Sequence, residues 1–166
     1  MTKKITYYCL CFLLLALAQS HDVAGQDYGE SKQLNHPACI FIPIMQDQNI
    51  HIPAPDHSDA RISPAAEFIV NYPDGIDVDA QNAFAYAVEI WSYQIATDVP
   101  IVIDFSFSDL GASTLGSAGP KNFFRNFSGA TKSNTWYPVA LANKLAGFDL
   151  DDGNADINIS FNSEFN

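Results

Sequence analysis

Basic residues are scarce. Eight Lys and Arg stand against 19 Asp and Glu, for a formal net charge of −11. With no basic stripe to displace phosphate counterions, the chain does not read as a nucleic-acid binder or as a polybasic protein held at a membrane surface. Cysteine is nearly as scarce. Cys9 and Cys11 sit close to the N-terminus, and Cys39 is the third and last. No other apolar run is long enough for a transmembrane helix, which needs about 20 residues, and the run at 5–17 falls short of that too. Complete catalytic signatures are missing as well. There is no H-E-x-x-H pair to put two imidazoles on one helical face for zinc, no G-x-S-x-G elbow to raise a nucleophilic serine, and no Walker loop. The glycines around 115–120 lack the lysine that phosphate binding requires.

What is present supports a folded, exported chain. Hydrophobic residues make up 48% of the 166 and aromatics 13%, enough for a core. The length fits one domain, or part of one. Lys3 and Lys4 precede an apolar run at 5–17 centred on Leu13, Leu14 and Leu15. Ala16 and Ala18 then supply the small residues a signal peptidase reads, and Val23-Ala24-Gly25 is a later possible site. The expected signal peptide is therefore 1–18, with cleavage as late as 25, and the alternative is an uncleaved anchor. The destination is the secreted, periplasmic or cell-surface space, with no membrane attachment after cleavage. Processing removes two lysines and no acids, so the mature chain is more acidic still. It also removes Cys9 and Cys11. Neither lies in a lipoprotein box, because Tyr8 and Leu10 stand where a small residue is needed. Cys39 is left odd, either free or paired outside the chain.

Residues 19–64 read as an irregular or pro-like leader, rich in Asp, Gln, His and Pro. Its patch at 39–44 fits a short strand that the prolines confine to an edge. The domain proper is expected over 65–166. Alternation at 67–72 predicts a strand, and Pro73-Asp74-Gly75 a turn. Asp77 or Asp79 is placed to cap a helix reaching about Ile95, with Phe84, Ala87, Val88, Trp91 and Ile95 forming its apolar stripe. Ile101, Ile103, Phe105 and Phe107 alternate with polar residues in the clearest strand. A glycine-rich loop follows, with Gly111, Gly116, Gly119 and Pro120. Residues 122–127, with three phenylalanines, are expected to fold over the core. A short helix is predicted over 138–146 with Gly147 as its stop, then an acidic turn at 149–154 and a strand at 155–161.

Few residues point to chemistry. His21, His36, His51 and His57 show no metal-ligand spacing and read as solvated loop residues. Asp149, Asp151, Asp152, Asn154 and Asp156 concentrate hard oxygen ligands and are the candidate calcium site, although Gly153 falls outside an EF-hand register. The plainer reading is a solvated acidic turn. Cys39 near His36 is either a pro-segment thiolate able to cap zinc or a thiol without a role. Asn126-Phe127-Ser128 and Asn158-Ile159-Ser160 match the glycosylation sequon.

Four blocks carry a family resemblance: FIVNY at 68–72 with AQNAFAYAVEIW at 80–91; VPIVID at 99–104; LGSAGP at 115–120 with NTWYPVALANKLAG at 134–147; and ADINISFN at 155–162. Together they resemble the N-terminal subdomain of secreted bacterial metzincin-like (zincin) zinc metalloproteases. The resemblance implies an α+β fold, a twisted mixed β-sheet with one long helix packed on it. It implies the substrate-cleft half of an exported zinc metalloendopeptidase, whose partner is a peptide or protein substrate. In that family a following helix bears H-E-x-x-H, with histidines on zinc and glutamate as general base. No residue at 1–166 inherits either role, so the expectation is no catalytic residue here, zinc only in a longer chain, and a C-terminal subdomain elsewhere. The chain is then a fragment or a truncated, inactive product. Without that helix the sheet face lined by Phe105, Phe107, Ile157 and Ile159 is expected to be only partly covered. The competing expectation is an exported, non-catalytic binding or adhesion module that holds glycan or protein with the aromatic loops at 123–136.

Overall fold

A computed structural model describes residues 26–41 and 65–165. The signal-peptide reading, His21, His51 and His57 lie outside them. The described chain is a mixed α+β fold with two sheets and two helices. Strands β1 (Glu30–Gln33), β6 (Asn122–Arg125) and β7 (Tyr137–Pro138) form an antiparallel sheet in the order β1-β6-β7. The larger sheet takes β2 (Cys39–Phe41), β3 (Phe68–Asn71), β4 (Ile101–Ser108), β5 (Gly116–Pro120) and β8 (Ile157–Asn162) in the order β2-β5-β8-β4-β3. Its β3, β4 and β8 run parallel, while β5 and β2 run antiparallel to their neighbours. Helix α1 (Val78–Gln94) links β3 to β4.

Local chemistry explains most boundaries. The Asp77 carboxylate caps α1, accepting from the amides of Asp79 at 2.8 Å and Ala80 at 3.2 Å, which satisfies two of the four orphan donors. The helix end is tied down where Ser92 O accepts from the amides of Ala65 and Ala66. The second helix, α2 (Val139–Ala146), follows Pro138 and stops at Gly147 in the left-handed conformation, where glycine carries no Cβ penalty.

The expected glycine-rich loop is partly a strand. Gly116–Pro120 has little strand propensity, but β5 is held by β2 on one side and β8 on the other. Glycine is needed here for close approach, since a Cβ on Gly119 would lie 2.9 Å from Ala38 N. The leader is likewise not wholly irregular. Its 39–41 stretch is the expected edge strand, whereas β1 had no alternating apolar pattern to announce it. All of β1 is exposed, and it is held by its pairing with β6.

Two apolar clusters result. One packs Phe124, Phe127, Tyr137, Val139, Ala142 and Leu150 between β6, β7 and α2, every member buried. The other lies under α1, where Phe84 sits 4.9 Å from Phe105 and Tyr72 5.4 Å from it, centroid to centroid. Trp91 does not join this cluster and is 58% exposed. Helical spacing puts it two turns from Phe84 on the same stripe, yet its ring stays largely in solvent while that of Phe84 packs on Phe105.

Candidate functional site

Strand register divides the larger sheet into two faces of opposite character. Phe105 and Phe107 on β4 lie beside Ile159 and Phe161 on β8, on the α1 side. Their intervening residues line up as polar cross-strand rows on the other side. Asn71, Asp104, Asn158 and Gly119 form one row, and Ser106, Ser160 and Ser117 another. This follows from the two-residue period of a strand, which sends neighbours to opposite faces.

The apolar face is covered unevenly, in part as expected. Phe105 is buried and Phe107, Ile157 and Ile159 are half-buried, but Phe161 is 39% exposed. A cavity of about 280 Å³ remains between α1 and β8, walled by Ala80, Ala83, Ala87, Phe107 and Phe161. Phe84 of α1 reaches Phe161 here, ring centroids 6.4 Å apart, and leaves that ring partly in solvent.

The β5 edge is occupied. Cys39, Ile40 and Phe41 pair with Ala118, Ser117 and Gly116. Ile40 is 60% exposed and Cys39 is an exposed free thiol. The attachment is therefore mainly backbone pairing. His36 lies nearby in the same segment, its Nδ1 3.3 Å from the Pro37 carbonyl, and no hydrogen bond joins it to Cys39.

The acidic turn is built into the fold. Asp156 is buried, accepting from the Val102 amide at 2.7 Å and from Asn143 Nδ2 at 2.8 Å. The buried Asn143 carboxamide also donates to Asp149 and accepts from the Leu150 amide. Asp151 accepts from Asn122 and Asn154, while Asp152 and Asn154 are exposed and line a hollow with Asp104 and Lys121. Burial, and then the neighbouring charges of Asp149 and Asp151, push the Asp156 carboxyl up to about 6. Calcium at this turn would share the Asp149 and Asp151 carboxylates with these hydrogen bonds. Among the described residues, no three His, Cys, Asp or Glu side chains converge as a metal group. The role of Asn143 was invisible in the sequence, because nothing in a helical asparagine announces that its amide will meet two carboxylates.

The aromatic loops are also spoken for. Phe124, Phe127 and Tyr137 are core. Trp136 lies between Lys32 Nζ, 4.4 Å from its ring, and the Arg125 guanidinium at 4.7 Å, while Arg125 pairs with Glu30 at 2.6 Å. These contacts hold the leader strand β1 to the sheet.

Of the two sequons, Asn126 lies in a turn at positive φ, its side chain bonded to Glu30 and Asn134. Asn158 lies within β8, between β4 and β5. No described helix is long and apolar enough to cross a membrane. Comparison with known families, curated proteins and solved structures finds no match to this chain.

Proposed function

We propose that this chain is the substrate-cleft half of an exported zinc metalloendopeptidase-like protein, its zinc bound by an H-E-x-x-H helix that residues 1–166 do not contain. The observation that carries the reading is the β5 edge, which already holds an extended segment, β2, antiparallel to it. A strand edge that takes up extended chain through backbone hydrogen bonds suits a peptide substrate, which is recognised largely by its main chain. In this reading β2 stands where substrate would lie, and the leader keeps the edge paired until it is displaced. The partly open apolar side of β8, with exposed Phe161 beside the cavity, is the surface on which the zinc-bearing helix would pack.

The binding-module reading has less support. Its aromatic side chains at 123–136 are buried or held against Lys32 and Arg125.

The test replaces Cys39, Ile40 and Phe41 with glycine in the whole chain and measures binding of fluorescent, extended, uncharged peptides. Weakening β2 should raise peptide affinity over the native chain. Equal failure of both proteins to bind any peptide would sink the cleft reading. Purified chain should carry no stoichiometric zinc, and chelator-sensitive peptide hydrolysis by residues 1–166 alone would overturn the placement of the zinc ligands elsewhere.

A further inference from the structure

The face of the larger sheet opposite α1 carries a polar trough that the peptidase reading does not use. The segment 34–37 and Leu110 rise beside the sheet and bound a cavity of about 520 Å³ over Ser106, Ser117, Asn158 and Ser160. Asp104 and Lys121 stand at one end of it and also line an adjoining cavity of about 380 Å³. Their ion pair, 3.0 Å long, is therefore the sill between two hollows.

Charge decides the class of ligand. The Asn71 carboxamide, 2.9 Å from Asp104, and then Lys121 hold the Asp104 carboxyl below its ordinary range, so it is ionised. It offsets Lys121, which among the described residues shares the trough with the His36 imidazole, and the strongly acidic chain disfavours anions further. Lys121 keeps ammonium donors beyond the one spent on Asp104, and Asp104 keeps unused lone pairs. The trough thus offers donors and acceptors side by side, the ammonium of Lys121 beside the carboxylate of Asp104 and the amide and hydroxyl groups of Asn158 and Ser117. A hydroxyl group both donates and accepts, so it can satisfy Asp104 and Lys121 together. Ser160 adds an independent sign. Its Oγ is buried without a hydrogen-bond partner among the described residues, an arrangement that folding disfavours and that a rotamer change toward a seated ligand relieves. The apolar side chains of Leu34, Pro37 and Leu110 at the margin suit the C–H surface of a ring.

We infer that this trough is a binding site for a neutral, hydroxyl-rich ligand of the size of a mono- or disaccharide. The site lies on the sheet face opposite the apolar cluster and does not depend on the proposed peptidase role.

The test is ligand-observed NMR on the full chain with glucose, galactose, N-acetylglucosamine, cellobiose and chitobiose, and with inorganic phosphate and an acidic peptide as charged comparators. At least one neutral sugar should bind saturably. Lys121→Met should weaken it about tenfold and Ser160→Ala about threefold, while Lys144→Met on exposed α2 surface leaves it unchanged. Ser160→Ala removes only an unpaired hydroxyl, so it reports on binding with the fold intact. No binding by any sugar would overturn the inference. So would sugar binding indifferent to both trough variants, or tighter binding of phosphate or the acidic peptide.

Discussion

The two apolar clusters have similar composition and different completeness. Around Phe127 and Val139 every member is buried, because β6, β7 and α2 close on one another from several sides. Around Phe105 the single helix α1 lies over one flank, and Phe161 and Trp91 remain exposed. The closed cluster is a finished core. The open one has a buried centre and an exposed margin.

Truncation should separate them most strongly. Phe127→Ala removes a fully packed ring and should lower unfolding stability by about 3–5 kcal/mol in urea denaturation. Phe161→Ala should cost about 1 kcal/mol, since much of that ring is already in water. Equal losses would erase the distinction between finished and unfinished packing.

The closed cluster is also pinned from behind by Asn143. Asn143→Ala strips partners from buried Asp156, from Asp149 and from the Leu150 amide, and should cost about 2–3 kcal/mol. The same pin sets a pH dependence. The Asp156 carboxyl sits at about 6, above its ordinary 3.8, so the folded state binds its proton more readily than the unfolded chain. Its stabilising contribution is fully present below 3.8 and is lost as pH rises through 6. Stability should therefore climb by about 1 kcal/mol from pH 7 to pH 5, and Asp156→Asn should flatten that slope.

The smallest effect belongs to the leader strand. Lys32→Met removes the cation over Trp136 and should cost about 0.5–1 kcal/mol, with faster hydrogen exchange in β1 and no change around Phe105. A matching change at Phe105 would show that the two regions are coupled.

Strand β4, helix α1 with its Asp77 cap, and α2 with its Gly147 stop were legible because each has a strong local signal: alternation, helical spacing, a capping side chain or a left-handed glycine. Trp91 fits the same helical stripe as Phe84, and spacing alone could not show that one packs on Phe105 while the other stays exposed. Strand β5 was illegible for a related reason. Its residues have no preference for extension, and only the partners on both sides make it a strand.

The candidate sites divide in the same way. The density of carboxylates at 149–156 was plain in the sequence, but their use as a hydrogen-bonded pin depends on Asn143 arriving from α2. The alternation of β4 announced one apolar and one polar face. Whether the polar face becomes a trough depends on Lys121 coming from beyond β5 and on the leader passing beside it. Sequence by itself determined the strands, helices and caps whose causes lie within a few residues along the chain. Tertiary structure alone decided the β2–β5 pairing, the exposure of Trp91 and the meeting of Asp104 with Lys121, because those energies exist only between segments distant in sequence and brought together by folding.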